Sequence, residues 1–230
     1  MKQRNIIIDV TTVNYIISVG MLFCLTLAMV LKSRGDLNIL LSSIFDPNIY
    51  VLFIVPTFLF YFSSYLEVYL KNEIVTRLQS RKNFWIFFVK KDLLALCKYQ
   101  LAFHGILFMA IKVFRMNGTF VFSEYFYMSL IIIIGIFSVS LLFLIMVFFS
   151  KNIIFSLIGV LIILISEIFE YNPFPIFVGR LFEMQNTSLL NNLLEKGIYY
   201  TAFISILLIV GYFLSKRINL MFKTNPSEGD

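Results

Sequence analysis

Six apolar runs, each close to the length that crosses a bilayer, dominate this chain, and little else in it has the pattern of a soluble fold. They are Val13–Leu31, Ile49–Leu70, Leu93–Ile111, Tyr125–Phe149, Ile153–Phe169 and Ile198–Leu214. About 20 apolar residues rising 1.5 Å each cover roughly 30 Å of hydrocarbon. With 60% hydrophobic and only 14% charged residues, the chain cannot surround a soluble core with enough polar surface. The expected fold is an all-α integral membrane protein, a single transmembrane domain over residues 1–230 with six transmembrane helices. The first run is too long for the apolar region of a signal peptide and no small-x-small cleavage site follows it, so it is expected to be a retained helix.

Charge sets the expected orientation. Thirteen Lys and Arg fall on one side of the six runs and six on the other, which places both termini in the cytoplasm by the positive-inside rule. The basic residues cluster between apolar spans and do not interleave with aromatics in one patch, so the formal charge of +6 reads as membrane topology and not as nucleic-acid binding. Cys24 and Cys97 both lie inside apolar runs and imply no disulfide framework.

One stretch interrupts the apolar pattern with polar amphipathic sequence, Lys71 to Asp92. Read as a helix, it puts Glu73, Arg77 and Arg81 on one stripe beside Ser80, with Ile74, Val75, Leu78, Trp85, Ile86 and Val89 largely opposite. Such a segment suits docking on a partner, and equally a surface of anionic lipid. A second unusual stretch, 170–196, is stopped by Pro173 and Pro175 but stays apolar. It is expected to form short interfacial or re-entrant helices, Ile176 to Met184 and Ser188 to Lys196, before the last span. Ser150, Lys151 and Asn152 alone separate the fourth and fifth runs, which predicts a tight helical hairpin. Pro56 is expected to disturb the second span.

Chemistry-bearing motifs are few. The sequence has no phosphate-binding loop, no G-x-S-x-G and no H-E-x-x-H, and its single histidine excludes a two-histidine metal site. No catalytic residue and no metal ligand is assigned. Glu167 and Glu170, at the outer end of the fifth run, are expected to be solvated carboxylates. Lys98, Gln100 and His104 give the third run its polarity and are the candidates to line a pathway. Lys98 is also able to snorkel to the cytoplasmic face, and His104 to hydrogen-bond a neighbouring helix as a neutral imidazole.

The order of these parts resembles the permease subunits of ABC exporters of the second class. There a coupling helix between spans two and three sits in a groove of a separate ATPase. Its pattern is an acid, a Ser-Arg pair about seven residues on, a hydrophobic residue and then a basic residue. Glu73, Ser80 with Arg81, Phe84, and Lys90 or Lys91 occupy those places here, with Arg77 on the same stripe. The family's Gly after the acid and Pro before Ser-Arg are absent, and the segment before span one is short. The Ile-, Phe- and Lys-rich character is similar to small permeases of Gram-positive bacteriocin-export and immunity systems. The resemblance implies a bacterial plasma-membrane protein that binds no cofactor itself, with ATP and Mg held by an ATPase subunit, and a second permease chain and membrane lipid as its other partners. A non-transporting immunity or sensor protein remains open. A secondary transporter fits less well, because the first three runs and the last three do not match in polarity.

Overall fold

The computed structural model describes residues 2–70, 81–169, 177–182 and 188–217, and these are helices and their connections. α1 is Lys2–Ser33 and α2 is Leu37–Ile44; α3 is Pro47–Tyr69, α4 is Arg81–Val113 and α5 is Phe122–Ser150. α6 is Ile153–Ile168, α7 the single turn Gly179–Phe182, and α8 is Leu189–Arg217. Five helices are long and apolar enough to cross a membrane, within α1, α3, α4, α5 and α8. The fifth expected run, Ile153–Phe169, falls short. α6 has 16 residues, about 24 Å of helix, against roughly 30 Å of hydrocarbon.

Local chemistry sets the turns. Arg34 and Gly35 close α1 with positive φ of 52° and 87°, and Asp36 then caps α2 by accepting the Asn38 and Ile39 N–H groups. Asp46 caps α3 through the Asn48 N–H, with Pro47 in the first turn. At the α5–α6 hairpin, Lys151 adopts a left-handed φ of 56° and the Asn152 side chain accepts the Phe155 N–H. In α3 the effect of Pro56 is a π turn at Tyr50–Ile54, immediately before the proline. Proline supplies no N–H to the preceding turn, and the wider turn absorbs the misfit.

Neighbouring helices in the order α1, α3, α4, α5 and α6 run antiparallel. Tyr15 stacks near Tyr61 with ring centroids 5.1 Å apart, and the Ser18 hydroxyl donates to the Thr57 carbonyl. Phe84 of α4 packs on Phe148 of α5. The bundle therefore has a basal end, where α4 begins and α5 and α8 finish, and an apical end, where α2 and the Asn117 loop meet through Leu37 N–H to Asn117 C=O at 2.8 Å. α3 and α5 are mostly buried and form the centre, whereas α1 and α8 bury about a fifth of their apolar windows. Leu101, Met109 and Ile198, each more than 70% exposed, belong to the outer apolar faces.

Two expected elements take a different form. Ser188–Lys196 is no separate interfacial helix, because α8 runs unbroken from Leu189 through the last span. Ser188 caps it by accepting the Asn191 N–H. Within Ile176 to Met184 the described helix is one turn, while Met184 and the residues to Thr187 lie outside the described residues. That turn does not lie at an outer surface. Leu181 and the Tyr50 hydroxyl crowd Gly135, the middle of the 29-residue α5, so closely that a Cβ there would stand 2.5 and 2.6 Å from them.

Close approach also joins α8 to α4 at the basal end, where a Cβ on Gly211 would meet the Trp85 ring at 2.1 Å. Trp85 is buried and rigid, so the ring cannot swing aside. Gly211→Ala is expected to cost about 1–3 kcal/mol. It should also shift the emission of this sole tryptophan, since the helices must part around it. An unchanged melting temperature and spectrum would show the contact to be dispensable.

Candidate functional site on the fourth helix

The described helices bring the polar residues of the third expected span together with residues that the sequence reading did not select. Asp92 is the principal one. It is fully buried in α4, where one carboxylate oxygen accepts the Ser140 hydroxyl of α5 at 2.7 Å and the other, Oδ1, has no hydrogen-bond partner. Seven residues on, the Tyr99 hydroxyl donates to the Ile54 carbonyl at 2.8 Å and meets the Thr57 hydroxyl at 2.5 Å. Ile54 closes the π turn of α3, so α4 is tied to the one irregular turn of that helix. Thr57 in turn donates to the Phe53 and Ile54 carbonyls. The altered hydrogen bonding there makes Ile54 C=O available to a hydroxyl from another helix.

Gln100 is buried, and neither its amide oxygen nor its amide nitrogen is bonded. One turn on, His104 Nδ1 meets the Tyr125 hydroxyl of α5, and Tyr125 Oη is the group that completes its expected hydrogen bond to a neighbouring helix. Asp92 and His104 each bond a residue of α5, Ser140 and Tyr125, and with Gln100 between them they span about 18 Å along α4. Lys98 is placed differently. It is exposed on the outside of α4, and only its carbonyl is engaged, by the Tyr15 hydroxyl. Of the three candidates read from the sequence, the fold thus assembles Gln100 and His104 and turns Lys98 away.

The coupling candidates are placed unequally. Glu73, Arg77 and Ser80 lie outside the described residues. Arg81 is the first residue of α4. Phe84 is 1% exposed, packed on Phe88 and Phe148, and so offers no surface for a partner in this packing. Its hydrophobicity serves the bundle core, a role that a spacing pattern cannot tell from docking. Lys90 is exposed. Lys91 lies over the Tyr69 and Phe87 rings at 4.8 and 5.4 Å, bridging the end of α3 to the start of α4.

Glu167 overturns its reading as a solvated carboxylate. It is 7% exposed, and its oxygens accept the Phe177 and Val178 N–H groups at 2.6–3.1 Å. The physical reason is that α6 stops short, which leaves its last turn inside the bundle beside a chain segment whose amides need an acceptor. Glu170 lies outside the described residues.

Asp92 was detectable in principle. It has Gln100 two helical turns away on one face of an apolar helix, but its position after Lys90 and Lys91 makes it read as the end of a basic surface segment. An incompletely bonded carboxylate and amide inside a span are costly groups to bury. Together they are groups that can bond water or a polar solute.

This helical bundle, with its five long apolar helices, is a multi-pass membrane protein. No family model matches the chain, and comparisons with curated proteins and with solved structures return no match.

Proposed function

We propose that the chain is the membrane-spanning permease subunit of an ATP-driven exporter in the bacterial plasma membrane. It docks a separate ATPase through residues 71–92 and forms the pathway with a second permease chain. The observation that carries this reading is the continuity of α4. One helix of 33 residues holds Arg81, from the docking pattern, together with the buried Asp92 and Gln100 and the half-buried His104. A rigid rod tilted at Arg81 moves those groups with it. ATP and Mg act on the partner, and hydrolysis occurs there. Both termini are cytoplasmic in this arrangement, and Glu167 at the end of α6 holds Phe177 and Val178 ahead of α8.

Purifying the tagged protein in mild detergent should bring a nucleotide-binding subunit with it. Arg81→Glu should release that subunit while leaving membrane insertion intact, because reversing a charge at a docking contact turns attraction into repulsion. Retention of the subunit by the variant overturns the docking assignment.

A second reading, a sensor or immunity protein that binds a ligand without transport, is favoured by a cavity at the apical end whose wall includes Tyr125, the partner of His104. It predicts full activity in cells lacking the ATPase.

A further inference from the structure

The apical cavity has a chemistry of its own. It encloses about 290 Å³ between α2, the loop before α5 and the first turns of α5. This is near the lower limit for small-molecule sites. Its aromatic wall is a corner made by Phe45 and Tyr125, whose rings meet edge to face with centroids 5.8 Å apart. Asn38, Ser42 and Thr119 supply neutral hydrogen-bonding groups, and Glu124 supplies a carboxylate. No Lys or Arg lines it.

This end also carries Lys32, Arg34, Lys112 and Arg115, but none of them lines the cavity. Asp36 and Asp46 are nearby acids whose side chains are already committed, each capping a helix through backbone N–H groups. Glu124 is exposed and makes no hydrogen bond or ion pair among the described residues. A carboxylate beside two aromatic rings, in a lining that includes no Lys or Arg among the described residues, favours a cation over an anion. The small volume and the amide and hydroxyl groups favour a compact one that carries a polar end.

We propose that this cavity is a binding site for a small organic ammonium ion. The cation lies between the Phe45 and Tyr125 rings and the Glu124 carboxylate, and its polar end meets Asn38, Ser42 or Thr119. The assignment does not rest on the ATPase reading, since binding here needs no nucleotide and no partner chain. Occupancy also has a route into the bundle, because Tyr125 is bonded to His104 on α4.

Choline is a suitable probe, with its uncharged isostere 3,3-dimethylbutan-1-ol and the anion isobutyrate as comparisons. They are titrated calorimetrically against the full chain in phosphatidylglycerol nanodiscs. Saturable binding of choline, with the isostere and the anion at least about fivefold weaker, is the expected result. Glu124→Gln should weaken choline by about the same factor while leaving the melting temperature of the empty protein unchanged, since Glu124 is a surface residue. Repeating the titration with phosphatidylethanolamine in the bilayer identifies the source. Competition by the lipid assigns an ammonium headgroup, and undiminished choline binding assigns a free solute. Equal binding of the isostere, preference for isobutyrate, no binding of choline at all, or an unaltered affinity in Glu124→Gln overturns the proposal.

Discussion

Glu167→Ala is expected to destabilise the protein by about 3–5 kcal/mol, because removing a buried acceptor leaves the donors it served without water or a substitute. The Phe177 and Val178 N–H groups are both buried, and both point at this carboxylate. The same short segment is held from α8 as well, where the Tyr200 hydroxyl donates to the Phe177 carbonyl at 3.0 Å and the Lys196 ammonium to the Leu181 carbonyl at 2.6 Å. Those contacts position the segment but cannot bond its N–H groups. The loss should therefore be local as well as global. Hydrogen exchange in detergent should show the Phe177 and Val178 amides losing protection together, ahead of Tyr99 or Ser140 on the central helices. Glu167→Gln keeps one acceptor oxygen and should recover a large part of the stability. A variant that melts with the wild type and retains amide protection would mean that the carboxylate does not hold this segment.

Asp92→Leu is expected to act in the opposite direction, raising the melting temperature while abolishing the transport proposed for this chain. The contrast comes from what each carboxylate is bonded to. Glu167 accepts backbone N–H groups on both oxygens, whereas Asp92 is fully buried with a hydroxyl on one oxygen and nothing on the other. Replacing such a group by an apolar side chain of similar size removes a desolvation penalty and is commonly worth about 1–4 kcal/mol. Ser140 is not orphaned by the change, since its hydroxyl also reaches the Phe137 carbonyl at 2.9 Å.

The converse substitution tests the same account. Ser140→Ala in the wild-type background leaves both oxygens bare and should cost about 1.5–3 kcal/mol, but it should be nearly neutral in the Asp92→Leu background. Stability gained at the expense of activity is the pattern of a polar group retained for function. A lower melting temperature for Asp92→Leu would show that the carboxylate stabilises the bundle and is not a pathway group.

These two residues also mark where reading the chain stops. Periodicity and length identify helices, and the five that are long enough to span lie where apolar runs predict them. Capping chemistry is equally local. Asp36, Asp46 and Asn152 set their turns through N–H groups two or three residues away. His104 and Gln100 stand out as polar residues in an apolar run; Gln100 is buried and His104 half-buried against Tyr125. Lys98 has the same signal in the sequence and faces outward.

What the sequence determined by itself, then, is an all-helical chain with several membrane-length segments and a polar third span. Those properties depend on hydrophobicity summed over some twenty neighbours and on bonds within one turn. Which of its ionisable groups are buried was decided only by tertiary packing. Asp92 is enclosed because α4 and α5 cross at Ser140, and Glu167 because α6 ends inside the bundle beside Phe177. Burial and hydrogen-bond satisfaction depend on groups 48 and 10 residues away in these two cases, and no local pattern carries that information.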